Sequence, residues 1–325
     1  MTNEERRPTA LNPSLVNSLK TAMDGVLVVD KPEGWTSHDV VAKVRNITRV
    51  KKVGHTGTLD PFATGVLPLT LGRATRLTSY FLSSDKTYHG VIRFGFATTT
   101  FDRDGEPTGG DARPQIDSAR VEEIFTHYLG TVRQTQPPYS AKKVHGKPMY
   151  QYARKGVMLN AETKEVTIKL LKLLRVQESE AEFELCCTAG TYARSLAHDV
   201  GREYGCGAHL VRLRRTRSGE FPIESATPLT EGDRFYPRDF FANRIIPMRD
   251  LLLELPAIRI SSGDCDKVRH GMDLNLLTSS WDVDEYRLLD ESGELIALAQ
   301  RVQTFVSPVA QPVRWIRIHP RINFE

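Results

Sequence analysis

Between Gly54 and Gly65 the chain reads Gly-His-Thr-Gly-Thr-Leu-Asp-Pro-Phe-Ala-Thr-Gly, and Asp60 in this segment is the single acidic residue from Val40 to Ser84. Gly54, Gly57 and Gly65 permit backbone shapes closed to other residues and let another backbone approach closely. Pro61 biases Asp60 towards an extended conformation. One carboxylate is therefore presented from a stiff loop in a cation-rich neighbourhood, which favours its ionised form and suits a nucleophile better than a general acid. An Asp-Pro turn or helix cap would use the same residues, and on the loop alone that structural account is the stronger. No GxxxxGK[ST] pattern marks a phosphate loop.

Two other kinds of residue could join this chemistry. Aromatic rings at a pocket edge can stack on a base, and a tyrosine hydroxyl can also move protons. Tyr88 lies on the apolar face of an alternating run, where a plain core role is equally open. Cations without nearby acids form three stretches: from Val40 to Ser84 around Asp60, from Ile124 to Ala161 (Arg133, Lys142, Lys143, Lys147, Arg154, Lys155), and from Tyr204 to Gly219 (Arg212, Arg214, Arg215, Arg217). The acids collect elsewhere, in 102–111, 178–184 and 282–294. Segregated positive stretches on a chain of net charge +4 point to a polyanionic partner, with solvated basic faces as the plain alternative.

These groups need a frame. Gly25 to Asp30 is a short buried-strand pattern followed by a Pro/Gly turn, and Thr36 with Asp39 has capping-box spacing ahead of a helix to about Thr48. A second short helix is expected over Ala74 to Leu82, a strand over Tyr88 to Phe96, and a helix through Val121 to Tyr128 that stops at Gly130. Gln134 to Gly156 is basic, rich in tyrosine and proline, and lacks core periodicity, which inside a domain marks a disordered or functional segment. Paired strands follow at Val166 to Val176 and Phe183 to Thr188. Gly190 then opens a helix with Tyr192, Leu196 and Val200 on its apolar stripe, off which Arg194 lies, and Ala208 to Ser218 is a basic strand. From Leu251 onward, short strand patterns (257–260, 285–290, 295–299, 313–318) suggest a small β-rich unit.

The 325 residues suffice for two domains. No apolar run approaches the roughly 20 residues that a bilayer requires. Residues 1–22 read as a disordered leader without a signal core, so a cytoplasmic protein is expected. Cys186, Cys187, Cys206 and Cys265 have no zinc-ligand spacing and read as reduced thiols; no metal or other cofactor is expected.

Taken together, GHTGTLDPFATGVL resembles the catalytic motif of the TruB family of pseudouridine synthases. Further similarity, in the family's order, lies in DKPEGWTSHDVV (30–41), KTYHGVIRFGFATTTFDRDGE (86–106), QPPYSAKKVHGKPMYQYARKG (136–156), GTYARSLAHDVG (190–201) and AHLVRLRRTRSGEF (208–221). The resemblance covers about Gly25 to Phe221. It implies a mixed α/β (α+β) catalytic domain over 23–250, with a mainly antiparallel central sheet flanked by helices and an RNA-binding thumb insertion at about 134–160. It also implies a PUA-like domain over 251–325. The implied activity is isomerisation of the uridine at position 55 in the TΨC loop of tRNA, flipped out of its stack, without a cofactor. Asp60 would be the catalytic carboxylate, held by Arg194, with Tyr88 stacking on the base. Tyr192 and Leu213 would line the pocket, His55 would hold the everted nucleotide, and Lys31 would stand near the site. Lys142, Lys143, Lys147, Arg154, Arg212, Arg214 and Arg215 would contact RNA. The thumb-like insertion is similar to that of stand-alone tRNA enzymes rather than guide-RNA-dependent relatives, so a monomer without an obligatory protein partner is expected.

Two rivals remain at this point. An RNA-binding module without catalysis accounts for the basic stretches and leaves Asp60 unexplained. A glycosidase requires two carboxylates in one site, and no second acid stands out in the motif segments.

Overall fold

The structure, a computed structural model, describes residues 23–109, 114–137, 143–144, 147–148, 163–230, 238–279, 282–305 and 314–324. The leader at 1–22 and most of the thumb, including Lys142 and Arg154, lie outside the described residues. Lys143 and Lys147 fall in a two-residue pairing of 143–144 with 147–148, known by its backbone alone.

The first strand, β1 (Gly25–Lys31), is buried on both faces, which is why its apolar run does not alternate. Leu27 and Val29 face one core with Val40 and Val44 of α1 (Ser37–Thr48); Val26 and Val28 face a second core with Leu77 and Phe81. The capping box forms as the spacing predicts: the Asp39 amide donates to the Thr36 hydroxyl at 3.1 Å, and Asp39 Oδ2 accepts from the Thr36 amide at 2.8 Å. Next come β2 (Val53–His55) and β3 (Thr64–Leu71), both of which sequence patterning missed. Pro68, which cannot donate to a ladder, disguised β3. The helix expected over 74–82 divides into a 3-10 turn, Gly72–Leu77, and α2 (Thr78–Ser83). The strand expected to reach Phe96 is β4 (Lys86–Phe94); it ends where Gly95 adopts φ 116°.

Helix α3 (Ser118–His127) precedes β5 (Gly130–Thr135), so Gln134 and Thr135 belong to the sheet rather than to the insertion. The hairpin of β6 (Thr163–Gln177) and β7 (Glu180–Cys187) leads to α4 (Ala193–Tyr204), one residue after Tyr192, and to β8 (Ala208–Ser218). The main sheet runs 227–228, β1, β3, β8, β4, β7, β6, β5. Its long ladders are antiparallel; two short contacts are parallel, that of 227–228 with β1 and one in which Arg214 and Arg215 of β8 stand opposite Thr64 and Gly65 of β3. The latter contact brings the end of the Asp60 loop against the basic strand. At Gly65, φ is 103°, and a Cβ there would stand 2.2 Å from the Arg215 carbonyl oxygen, so only glycine fits.

The C-terminal residues form a second sheet from β9 (Ala257–Arg259), β10 (Leu274–Thr278), β11 (Glu285–Leu289), β12 (Leu295–Phe305) and β13 (Arg314–Asn323), ordered β9-β11-β12-β13-β10, with α5 (Ser262–Arg269) against it. It has its own core around Val268, Leu288, Ile316 and Ile318. Leu251, Leu295, Leu298 and Phe324 share a core with Val26, Val28 and Phe81, so the small sheet is seated on the back of the large one. Three acids of the segment 282–294 have side-chain partners across the fold: Asp284 with Arg301, Glu285 with Tyr80 and Arg321, and Glu294 with Arg249.

Candidate active site

The Asp60 loop is built against β1 and α1. Lys31, at the end of β1, is fully buried, and its ammonium donates to the carbonyls of Pro32 (2.9 Å), Trp35 (2.7 Å) and Pro61 (3.1 Å). Burial lowers its pKa to about 8, with Asp60 the leading opposing influence. The Ser37 hydroxyl accepts from the Leu59 amide at 2.9 Å, and the Gly34 amide donates to the Pro61 carbonyl at 2.8 Å. These bonds satisfy the backbone on both sides of Asp60 and fix where its carboxylate leaves the loop.

Arg194 meets it from the first turn of α4. Nη2 donates to Asp60 Oδ1 at 3.1 Å, and Nε makes a charge contact 2.9 Å from Oδ2 without hydrogen-bond alignment, so the guanidinium meets both carboxylate oxygens. The third nitrogen, Nη1, lies 3.2 Å from Asp102 Oδ2 and donates to the Thr100 carbonyl at 3.3 Å. Arg194 is 5% exposed although it lies off the apolar stripe of its helix. Asp102 was missed because it reads as one acid of the 102–111 stretch. It is buried, and its Oδ1 accepts from the Thr100 hydroxyl and the Asp104 amide (3.1 Å). A second carboxylate thus stands on the same arginine, whereas no second acid stood out in the motif segments. With its oxygens engaged inside the protein, it orients Arg194.

Asp60 opens into a cavity of about 370 Å³ lined by Tyr88, Tyr192, Leu213, Leu82, Lys86 and Arg215, among others. Tyr88 is half-buried on β4, and burial pushes its phenol upward, with Arg215 opposing. Tyr192 is clamped by Gln134: its amide donates to Gln134 Oε1 at 2.7 Å, and its carbonyl accepts from Nε2 at 3.0 Å. The base of the insertion is thereby latched to the first turn of α4. His55 is half-buried; its Nδ1 accepts from the Gly57 amide at 3.3 Å, its ring meets His38 edge-on at 5.7 Å, and burial lowers its pKa. It holds the loop and is not among the residues lining the cavity.

Two further sequence expectations change, and a third residue gains a role. Lys31 has no surface for substrate and braces the loop instead. Arg215, expected on phosphates, is 1% exposed and donates from Nε to the Val66 carbonyl (2.7 Å) and from Nη2 to that of Gly57 (3.1 Å), so it ties β8 to the Asp60 loop. Lys86 was quoted only as part of a motif; it is buried, lines the cavity and donates to the carbonyls of Phe81, Leu82 and Ser84, capping α2, and burial lowers its pKa to about 8. Arg212 and Arg214 do reach the surface, paired with Glu180 and Glu182, and with Asp30.

The mixed sheet thus carries a carboxylate–arginine pair in a tyrosine-walled cavity. Over 99% of this chain and 92% of theirs, the fold superposes on the solved structure of a Cbf5–Nop10–Gar1 complex (TM-score 0.68, 25% identity) and on an H/ACA RNP bound to a substrate RNA containing 2′-deoxyuridine (TM-score 0.68, 24% identity). Residues 45–193 match the TruB family pseudouridylate synthase N-terminal domain, and 194–235 the tRNA pseudouridylate synthase B C-terminal domain. The tRNA pseudouridine synthase B of Solibacter usitatus is 42% identical over 86% of this chain and 96% of its own; that of Geobacillus thermodenitrificans is 42% identical over 91% and 100%. The chain belongs to the TruB family of pseudouridine synthases.

Proposed function

We propose that this enzyme isomerises the uridine at position 55 in the TΨC loop of tRNA, with Asp60 as the catalytic carboxylate acting on a flipped-out nucleotide. The observation that carries the reading is the Asp60–Arg194 pair opening into the cavity walled by Tyr88, Tyr192 and Leu213. The names of the curated relatives supply the tRNA substrate.

The reaction breaks N1–C1′, turns the uracil and joins C5 to C1′; the C5 proton is lost and N1 gains one, so composition is unchanged and no cofactor is invoked. A carboxylate assists by attacking C1′, by promoting loss of the C2′ proton, or by adding to C6. Each route asks the same of the protein: an oriented carboxylate, an enclosed base and exclusion of water. Arg194 supplies the first. Tyr88 and Leu213 hold the detached uracil by stacking and apolar contact while it turns. Extruding the uridine costs a few kcal/mol, offset by phosphate contacts from Arg212, Arg214 and the thumb residues Lys142, Lys143, Lys147 and Arg154.

In this reading 23–250 are the catalytic domain and 251–325 a PUA-like domain, and the enzyme works as a cytoplasmic monomer. Among the described residues no helix is long and apolar enough to cross a membrane. Mass-spectrometric mapping of a full tRNA transcript after incubation tests the proposal: pseudouridine at position 55 alone supports it, and modification confined to other positions overturns it.

A further inference from the structure

Phe101 has φ 64°, in the left-handed region that a bulky residue rarely enters, and it lies between two of the groups that hold Arg194. Its ring stacks on His198, with centroids 3.8 Å apart and planes 18° from parallel. His198 stands on α4 one turn beyond Arg194, so the partner of the stack and the catalytic arginine share one rigid element. On its other side the loop is fixed to β8: the Leu210 amide donates to the Phe101 carbonyl at 3.0 Å, and the Arg103 amide donates to the Leu210 carbonyl at 3.0 Å. The Phe101 amide closes the turn on the Thr98 carbonyl at 3.2 Å.

We infer that the Phe101–His198 stack is a positioning device: it holds residue 101 in its strained conformation and so presents the Thr100 carbonyl and the Asp102 carboxylate to Arg194 Nη1. Neither ring is among the residues lining the cavity. A left-handed residue reverses the chain locally, which lets residues 100 and 102 both turn towards the same nitrogen. An extended residue 101 would send them to opposite sides. The Nδ1 of His198 is buried without a hydrogen-bond partner among the described residues, and burial lowers its pKa, so the geometry uses the imidazole as a flat face. Sequence reading passed over both residues, because a phenylalanine in an acidic loop and a histidine on a helix have no shared pattern until the fold pairs them.

This inference rests on the Asp60–Arg194 reading above. The test uses single-turnover pseudouridine formation and RNA affinity in Phe101→Ala, His198→Ala, the double variant and His198→Phe, with Asp60→Asn alongside. Loss of an aromatic pair corresponds to up to about ten-fold in rate. Each single variant is expected to slow the chemical step by about that factor with unchanged RNA affinity. The double variant should be no slower than the slower single, and His198→Phe, which keeps a flat ring, should hold the wild-type rate. Folded Phe101→Ala and His198→Ala proteins turning over at the wild-type rate, with Asp60→Asn inactive, would overturn the stack proposal alone. So would strictly additive losses, or losses confined to RNA affinity. Full activity in Asp60→Asn would remove both readings together.

Discussion

Replacing Arg194 with lysine keeps the positive charge and removes the fork, and the structure sets the size of the effect. The guanidinium makes four contacts, two with Asp60 and one each with Asp102 and the Thr100 carbonyl, all within 2.9–3.3 Å. An ammonium on a shorter stem cannot meet both Asp60 oxygens and Asp102 from one position. At least two contacts to charged groups are lost, each about 1.5–3 kcal/mol in such settings. Part of that loss appears as stability, because Arg194 is buried and its partners are left under-satisfied. If about 3 kcal/mol falls on the orientation of Asp60, the chemical step slows by about 100-fold. The assay is a single-turnover time course at saturating enzyme, with RNA affinity measured by filter binding and folding by thermal melting. The expected result is a slow chemical step, near-normal affinity and a lowered but cooperative melt. A folded Arg194→Lys protein within three-fold of the wild-type rate would refute the argument that the two-point contact orients the carboxylate.

Gly65→Ala should destabilise the protein by several kcal/mol, because the new methyl meets the Arg215 carbonyl at 2.2 Å and the residue must keep φ 103°; a denaturant midpoint equal to wild type would contradict this. Lys31 has a folded pKa of about 8, below its unfolded value, so its contribution to stability is complete above the unfolded value and is lost as pH falls through 8. Between pH 7 and 10.5 the unfolding free energy of wild type should therefore rise relative to Lys31→Met by on the order of 3 kcal/mol, and a difference constant across this range would exclude the burial of an ammonium. Deleting 142–155 should weaken tRNA binding severely and leave the melt intact, since β5 and β6 pair with each other up to Thr135 and Thr163; unchanged filter-binding affinity would show that the insertion does not hold RNA.

Much of this site was legible because its chemistry is local. Asp60, its proline and its glycines lie within one segment, and the capping box of α1 and the alternation of β4 follow from short-range spacing. The basic character of β8 was also plain, but its meaning was not: Arg214 and Arg215 are neighbours in sequence, and the pleat sends one to the surface and the other beneath the Asp60 loop. Asp102, Gln134 and Lys86 could not be read in the same way, because each acts through partners between 58 and 92 residues away or through the end of a short helix. Strand β3 hid behind Pro68. In the C-terminal unit, α5 and β10 were missed: the helix is mostly polar, with Cys265 and Val268 as its buried residues, and the short strand alternates weakly.

The central claim is that Asp60 is the group on which isomerisation depends. Tritium release from tRNA transcripts labelled at uridine C5 measures this directly, with wild type and Asp60→Asn side by side and the isolated TΨC stem-loop as a second substrate. The account predicts release by wild type from both RNAs and none by Asp60→Asn, with tRNA affinity retained. Release by Asp60→Asn at the wild-type rate would contradict it.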